Sequence, residues 1–494
     1  MELRIKFLKW SAGIPVAMIN SKTASKIGVH PLDRITIKSK HKKSKEVSSV
    51  VDITETLVKK NEIGISHELK SYLNFKNNEK VEVNLSNSPY ALNFIKKKLN
   101  NKALTQKELD EIMEDIVNNS LSEAEIALFI TAVYKNGMSL NEITYLINSI
   151  VKTGSTLKIN KKIVVDKHSI GGIPGNRTTP IVVSICAAAG LTIPKNSSRA
   201  ITSAAGTADV IETIAKVEFS IKDIKKIIKK TNGCMVWGGS LGLVPADEKI
   251  IRIEKMLKID PEPQLLASIL SKKIAAGSKI ILIDIPYGEG AKVNKQKALA
   301  LKRKFEVLGK YFKKKLKCVL TLGNQPIGNG VGPVLELIDV INVLNPEKKG
   351  PKDLEDKAIF LAGQILELAG KSKKGRGENL ARQILYSGKA FKKFKEIIEA
   401  QGGRVINLKP SKINHSFVAK KSGTIFRIEN KKINDLARVA GCPIDKFAGV
   451  FIHYHLNEKV KKGDKILTIY AETKSRLNEA IKYYKKIYPV IHIR

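Results

Sequence analysis

The hydrophobic positions change their spacing several times along the chain, and each change predicts a different kind of element. Leu3–Phe7 and Arg34–Lys38 alternate apolar with polar residues, the pattern of strands with one buried face. Thr23–Ile27 between them reads as a short helix ahead of a turn at His30-Pro31-Leu32-Asp33. Residues 1–86 are therefore expected to form a β-rich, barrel-like domain. A helical domain follows over 87–160. Thr105…Glu108, Ser122…Glu125 and Ser139…Glu142 each place a hydroxyl three positions before a carboxylate, so that each side chain can satisfy a backbone N–H at the start of a helix. After the last of these, Ile143, Leu146, Ile147 and Ile150 fall on one helical face.

Near Ile163 the pattern shortens. Strand Ile163–Val165, helix Pro180–Ala189, strand Leu191–Ile193 and a helix after Ser203 alternate, and further strands are expected at Ile280–Ile285 and Cys318–Leu322. Such alternation predicts an α/β domain over 161–405, a parallel sheet flanked by helices with its functional loops beyond the carboxyl ends of the strands. Asp247–Ala275 is helical and interrupts the series, so about 247–275 is expected to pack back on the helical domain and leave an active-site cleft between the two. Lys371–Asn379, rich in Lys and Gly, is expected to be an exposed loop. From about Phe417 short strands and turns lead to Gly463-Asp464-Lys465 and a helix near Thr473–Tyr484, which makes 406–494 an α+β domain. The fold class is multi-domain α/β.

Composition removes some functions. Hydrophobic residues make up 43% of the 494, too many for a mainly disordered chain. Cys186, Cys234, Cys318 and Cys442 stand far apart with no CxxC, against a disulfide framework or a zinc site. The start Met1-Glu2-Leu3-Arg4 lacks the order of a signal peptide, and the longest apolar stretch, near Ile181–Ile193, is broken by Ser184 and Gly190 and is too short for a bilayer. A cytoplasmic protein without a membrane partner is expected. The formal net charge of +40 raises nucleic acid as a partner. Its lysines are scattered, however, and the runs Lys38–Lys45, Lys96–Lys98, Lys313–Lys317 and Lys371–Arg376 carry no interleaved aromatics to stack on bases. Solvated faces explain them better, and no specific nucleic acid is expected. His453-Tyr454-His455 would place two imidazoles on one strand face, but nothing nearby has metal-ligand spacing, so neither metal nor cofactor is expected.

Four short stretches carry candidate chemistry. In Asp166-Lys167-His168-Ser169-Ile170-Gly171-Gly172-Ile173-Pro174-Gly175-Asn176, glycines let the backbone approach an anion, Lys167 adds charge and Ser169 a hydroxyl donor, ahead of a helix that begins near Thr178. It is neither a Walker A loop nor GxGxxG. Lys195–Asp209 sits between the next strand and helix. It offers Ser197, Ser198, Thr202, Ser203 and Thr207 as hydroxyls, and Arg199 for a carboxylate or phosphate. Asp260 lies where a helix breaks before Pro261, and Ser268 and Lys272 share one helix face. Gly288-Glu289-Gly290-Ala291-Lys292 follows a strand. Taken alone, the last two stretches read equally well as a helix cap and a turn with a solvated lysine.

Together these residues resemble the thymidine/AMP phosphorylase family, and more closely its archaeal AMP phosphorylase branch. The matching segments are Asp166–Asn176, Ser197–Glu212, Pro245-Ala246-Asp247, Ala267–Gly277, Gly288–Lys292 and Asn324–Glu336. The N-terminal β unit, with Ala17-Met18-Ile19-Asn20 and His30–Arg34, resembles the extra domain of that branch. Pyrimidine nucleoside phosphorylases carry an Arg-Asp pair shortly after Pro-Ala-Asp; here the region reads Arg252-Ile253-Glu254-Lys255, which favours another base. The resemblance implies phosphorolysis of AMP to adenine and ribose 1,5-bisphosphate, with CMP and UMP as further substrates, and a homo-oligomer. It places Lys167, Ser169, Ser197 and Thr207 at the attacking phosphate. It places Gly172, Ser198, Arg199, Ala200, Ile201, Thr202, Ser203, Thr207, Ser268 and Lys292 at the nucleotide, and Lys272 on the base side. Asp260 matches the proposed proton donor, a role that needs burial or a base contact to raise its pKa. His168 is the alternative donor, because imidazole titrates nearer neutrality. A pyrimidine nucleoside phosphorylase, an anthranilate-type phosphoribosyltransferase and a basic nucleic-acid-binding protein are the rival readings.

Overall fold

Six strands close into a barrel at the start of the chain: β1 (Glu2–Phe7), β2 (Val16–Asn20), β3 (Arg34–Ser39), β4 (Glu46–Thr54), β5 (Glu62–Ile65) and β6 (Lys80–Leu85), in the order β1-β5-β2-β4-β3-β6. Alternation puts Leu3, Ile5, Ile35, Ile37, Val81 and Val83 inside, all buried. Asn20 caps the short helix α1 (Ser21–Ile27) by accepting the Lys22 N–H. A second short helix, α2 (His67–Tyr72), lies between β5 and β6. The structure, a computed structural model, describes all residues except 12–14, 40–45, 73–74, 87–88 and 201–202. Most of the Lys38–Lys45 run therefore lies outside the described residues.

The chain divides into two compact units, Met1–Gly154 with Val244–Ser268, and Ser155–Leu243 with Ile269–Arg494. In the first, α3 (Ala91–Leu99), α4 (Gln106–Val117), α5 (Glu123–Asn136) and α6 (Leu140–Lys152) follow the barrel. All three expected capping boxes form, at Thr105, Ser122 and Ser139. The inward face of α6 is the one its spacing predicts, with Ile143, Leu146, Ile147 and Ile150 buried. Arg34 of β3 pairs with Glu125 of α5. The later helix α10 (Pro245–Leu257) packs on α4 and α5. There the Lys249 ammonium donates to the carbonyls of Ile116 and Val117, and Arg252 pairs with Glu123 at 2.6 Å.

In the second unit, β7 (Val165–Ser169), β8 (Ile193–Ser197), β9 (Gly233–Trp237), β10 (Ile280–Tyr287) and β11 (Lys315–Leu322) are paired in parallel as β11-β10-β7 and β8-β9. A parallel bridge between Val164 and Thr192 joins the two groups. The interposed helices are α7 (Thr178–Ala188), α8 (Thr207–Ile211) and α9 (Ile221–Thr231). Helix α11 (Glu262–Ala275), of which only Ile269 onward belongs to this unit, leads into β10, and α12 (Lys295–Tyr311) follows it. Then come the short strand β12 (Gly330–Val331) and the helices α13 (Pro333–Leu344), α14 (Lys352–Leu368), α15 (Gly377–Tyr386) and α16 (Lys389–Ala400). Apolar residues of β7, β8, α7, α14 and α16 share one core.

β10 runs on to Tyr287 and β11 starts at Lys315, both longer than expected, while β7 and β8 are displaced from expectation for one reason. β7 starts at Val165 rather than Ile163 and runs on through Asp166, Lys167 and His168, while β8 starts at Ile193 and runs through Lys195 and Asn196. Polar residues at these positions hide the strands from a hydrophobicity pattern, yet most are buried and paired with one another. β9 escaped sequence reading altogether. The Lys371–Asn379 segment is not wholly a loop, because α15 begins at Gly377.

The C-terminal part has β13 (Asn414–Val418), β14 (Gly423–Ile428), α17 (Asn430–Val439), β15 (Gly449–Ile452), β16 (Lys459–Val460), β17 (Lys465–Tyr470), α18 (Lys474–Ile487) and β18 (Ile491–Ile493). Its larger sheet runs β12-β15-β17-β13, so β12 is taken from well before residue 406. Among the described residues, no helix is long and apolar enough to cross a membrane.

Candidate active site

Ser169 ends β7 and Ser197 ends β8, each five residues beyond the Val164–Thr192 bridge that joins the strands. Both hydroxyl oxygens are buried and have no hydrogen-bond partner among the described residues. Leaving one such group unpaired costs about 1–3 kcal/mol. Two of them at the carboxyl ends of neighbouring parallel strands mark a place for a polar ligand.

Beneath them lies a fixed positive charge. Lys167 is 1% exposed, and its ammonium donates to the Thr178 and Thr179 hydroxyls at 2.8 and 3.4 Å, in the first turn of α7. Burial takes its pKa down to about 8, against the pull of Asp284 and with Lys357 and Arg177 adding to the depression. A hydroxyl that accepts from a cation keeps its own proton to donate, so both threonines are set to offer theirs to an anion. Sequence reading placed Lys167 itself against phosphate; its ammonium meets the hydroxyls of Thr178 and Thr179, which sequence reading took only as the start of the following helix.

Arg177, also missed, joins the two loops. Its Nε meets the Glu336 carboxylate at 2.6 Å, Nη1 donates to the Thr207 hydroxyl at 2.9 Å and Nη2 to the Ala205 carbonyl at 2.7 Å. Thr207, at the start of α8, thus also accepts from a cation. The first loop turns on Gly172, whose φ is +94°; a Cβ there would meet the Lys292 side chain at 3.0 Å, so the Gly288–Lys292 turn lies against it.

In the second loop Asp209 accepts the N–H groups of Ala200 at 2.7 Å and Gly206 at 2.8 Å. Ser198 is exposed, and the Ser203 hydroxyl donates to the Ala205 carbonyl at 2.6 Å. Ile201 and Thr202 lie outside the described residues. Arg199 corrects the reading from sequence. It holds Glu212 with two parallel bonds of 2.7 Å, meets Glu218 at 3.1 Å, and lies over the Trp237 ring at 4.8 Å. Its planar fork is already engaged by carboxylates of this chain, not presented to a ligand.

The other side of β7 carries a buried ionic cluster. Asp166 meets Lys273 at 2.8 Å and Lys195 at 3.5 Å. His168 stands among Lys273, Lys195, Lys272 and Lys167; burial and these four cations push its pKa well below 6.5. The imidazole is neutral at physiological pH and holds no titrating proton to give, contrary to the reason for considering it as the donor. Lys272 is partly exposed near it. His453 and His455 follow β15 rather than lie in it and turn to different partners, Thr468 at 2.8 Å and Asn329 at 3.0 Å.

Asp260 and Ser268 belong to the first unit. Asp260, between α10 and α11, is exposed and so lacks the burial its expected role called for. Ser268 donates to Asp247 at 3.0 Å, a buried carboxylate that also accepts from Gln264 at 3.2 Å.

Comparison with known proteins fits this geometry. Three family models match: the glycosyl transferase family helical bundle domain at 92–154, the glycosyl transferase family a/b domain at 161–391, and the pyrimidine nucleoside phosphorylase C-terminal domain at 424–490. The chain is 47% identical to the AMP phosphorylase of Pyrococcus abyssi and 44% identical to that of Thermococcus kodakarensis, over 99% of this chain and 97% of each relative. The chain belongs to the AMP phosphorylase family. The AMP phosphorylase of Methanococcus aeolicus is 40% identical over the same shares, so the likeness takes in the N-terminal barrel as well as the three matched domains. Among solved structures, anthranilate phosphoribosyltransferase from Thermus thermophilus is similar with a TM-score of 0.52 at 19% identity, covering 63% of this chain and 99% of that one. At that identity the likeness shows a shared fold, the layout expected of that rival, and AMP phosphorylase membership decides the family.

Proposed function

We propose that the protein catalyses phosphorolysis of AMP: a phosphate oxygen bonds to ribose C1′, the C1′–N9 bond breaks with its electron pair passing to adenine, and a proton restores the neutral base. The products are adenine and ribose 1,5-bisphosphate. The observation that carries this reading is the pair of buried hydroxyls of Ser169 and Ser197 at adjoining strand ends, unpartnered among the described residues, in a chain that belongs to the AMP phosphorylase family. They would receive the attacking phosphate, with the Thr178, Thr179 and Thr207 hydroxyls donating and Lys167 and Arg177 supplying positive charge from behind. Gly172 and Lys292 would bound the ribose side, and the Ser198–Ser203 backbone, with Ile201 and Thr202, the nucleotide. Ser268 and Lys272 keep nucleotide and base contacts on the family resemblance alone.

Asp260 is our choice of proton donor on the family resemblance; exposed as it is, it can serve only through a contact with the departing base, while the neutral His168 has no acidic proton to release near neutrality. CMP and UMP are further substrates in this proposal, as are a homo-oligomeric state and a cytoplasmic setting. The test is direct. Purified protein given AMP and phosphate should release adenine in proportion to phosphate and form ribose 1,5-bisphosphate. Cleavage of uridine or adenosine with none of AMP would reject the reading.

A further inference from the structure

Helix α17 carries three polar side chains at four-residue intervals, Asn430, Asn434 and Arg438, and each holds a loop of the candidate site. Asn430 donates to the Gly323 carbonyl at 2.8 Å, and a Cβ added to Gly290 would come within 3.3 Å of it, so this end of α17 is packed on the Gly288–Lys292 turn. Asn434 accepts the Ala204 N–H at 3.1 Å, and Arg438 donates to the Ser203 carbonyl at 3.0 Å. Spacing of four keeps the three on one helix face. Ile433, Leu436 and Ala437 anchor α17 in the C-terminal core. The same part of the chain reaches the second loop again through Lys446, which meets Glu212 at 2.7 Å beside Arg199.

The Ser203 carbonyl and the Ala204 N–H belong to one peptide group. Arg438 holds its oxygen and Asn434 its nitrogen, so the plane cannot rotate without breaking both bonds. Ala204 is fully buried, where an unpaired N–H is costly. This peptide sits between the nucleotide segment and the Gly206–Thr207 start of α8.

We propose that α17 is a clamp: Asn434 and Arg438 are positioning residues that fix the Ser203–Ala204 peptide and thereby the shape of the nucleotide-binding loop. The C-terminal module then contributes to AMP recognition without touching AMP. This inference rests on the phosphorolysis reading above, and the experiment separates the two.

Kinetics and amide hydrogen exchange are measured on the full-length chain and on Asn434→Ala, Arg438→Ala, Asn434→Asp and Arg438→Lys. Each alanine variant should raise KM for AMP roughly three- to tenfold, the usual worth of one hydrogen bond, with KM for phosphate nearly unchanged; the melting temperature should hold in Arg438→Ala and fall modestly in Asn434→Ala, which leaves the buried Ala204 N–H unpaired. The Ala204 amide should exchange faster in both. Asp keeps an acceptor and Lys a donor, so these variants should recover most of the AMP affinity. The double alanine variant should cost more than the product of the single effects, because the bond left in each single variant still restrains the same plane. Unchanged KM for AMP in both alanine variants overturns the clamp. So does a parallel rise of both KM values with a falling melting temperature, the mark of a merely structural role. Should Asn434→Ala fail to fold, Arg438→Ala at its exposed position decides alone. If the wild-type protein cleaves no AMP, the functional reading fails, while Ala204 exchange still decides whether the clamp exists.

Discussion

Arg177 donates to the Thr207 hydroxyl at 2.9 Å, so a residue at the end of the first glycine turn orients a hydroxyl at the start of the second loop's helix. The same guanidinium neutralises Glu336, which is fully buried and whose pKa burial raises. Removing Arg177 should therefore do two separable things. Arg177→Ala leaves a buried carboxylate without its partner, and an expected loss of about 3–5 kcal/mol should appear in urea unfolding. Adding Glu336→Gln should restore part of that stability, since the stranded charge is gone. Phosphate affinity should stay low in the double variant, because Thr207 remains unoriented. Full recovery of phosphate affinity would show that Arg177 acts only on stability.

Ser169→Ala and Ser197→Ala should behave in the opposite way. Neither hydroxyl makes a bond within the described residues, so its removal breaks none. Stability is expected to hold or to rise, by up to about 1–3 kcal/mol, as an unpaired buried hydroxyl is removed. The KM for phosphate should rise on the order of tenfold for each, as expected for a lost bond to a charged group. Phosphate dependence of adenine release is the measurement. A clear loss of stability with no change in that dependence would assign the two serines to packing instead.

The sequence revealed elements wherever local chemistry acts alone. The capping boxes at Thr105, Ser122 and Ser139 and the apolar face of α6 depend on residues three or four apart, and all formed as expected. The alternating strands β1 and β3 were legible for the same reason. What stayed hidden depends on distant partners. Asp166, Lys167 and Lys195 look like loop residues until Lys273, Thr178 and the sheet register place them in buried strands. Sequence reading singled out Arg199 as an anion binder and passed over Arg177; only the positions of Glu212 and Glu336 show what each holds. The one available signal for Arg177 was its place next to a Thr-Thr helix start. Asn434, 230 residues from the amide it caps, had no signal at all.

Lys167 should make phosphate binding pH-dependent. Burial lowers its pKa from 10.5 to about 8, so its charge is present below 8 and lost above. A bound phosphate favours the charged form, and affinity should fall as pH rises through 8. For stability the sign is reversed. Between 8 and 10.5 the unfolded chain holds the extra proton, so this group's contribution to folding improves with rising pH over that window. Phosphate KM measured on both sides of 8 should rise on the alkaline side for the wild type. Lys167→Met should bind phosphate more weakly at every pH and lose that rise. An alkaline rise that survives in Lys167→Met would assign it to another group.

The proton that reaches adenine sets the last expectation. His168 is held neutral by burial and four lysines, so the pH–rate profile should show no limb from imidazole protonation near 6.5. Asp260→Asn keeps size and polarity but removes the acid, and should lower kcat on the order of a hundredfold or more, the usual contribution of a positioned general acid. KM for AMP should change little, because the lost interaction develops only as the glycosidic bond breaks. A substrate whose leaving base needs no proton should lose far less with Asp260→Asn than AMP does, which separates a lost acid from a misplaced loop. If AMP and such a substrate decline together, Asp260 serves to position the substrate, and the proton comes from water.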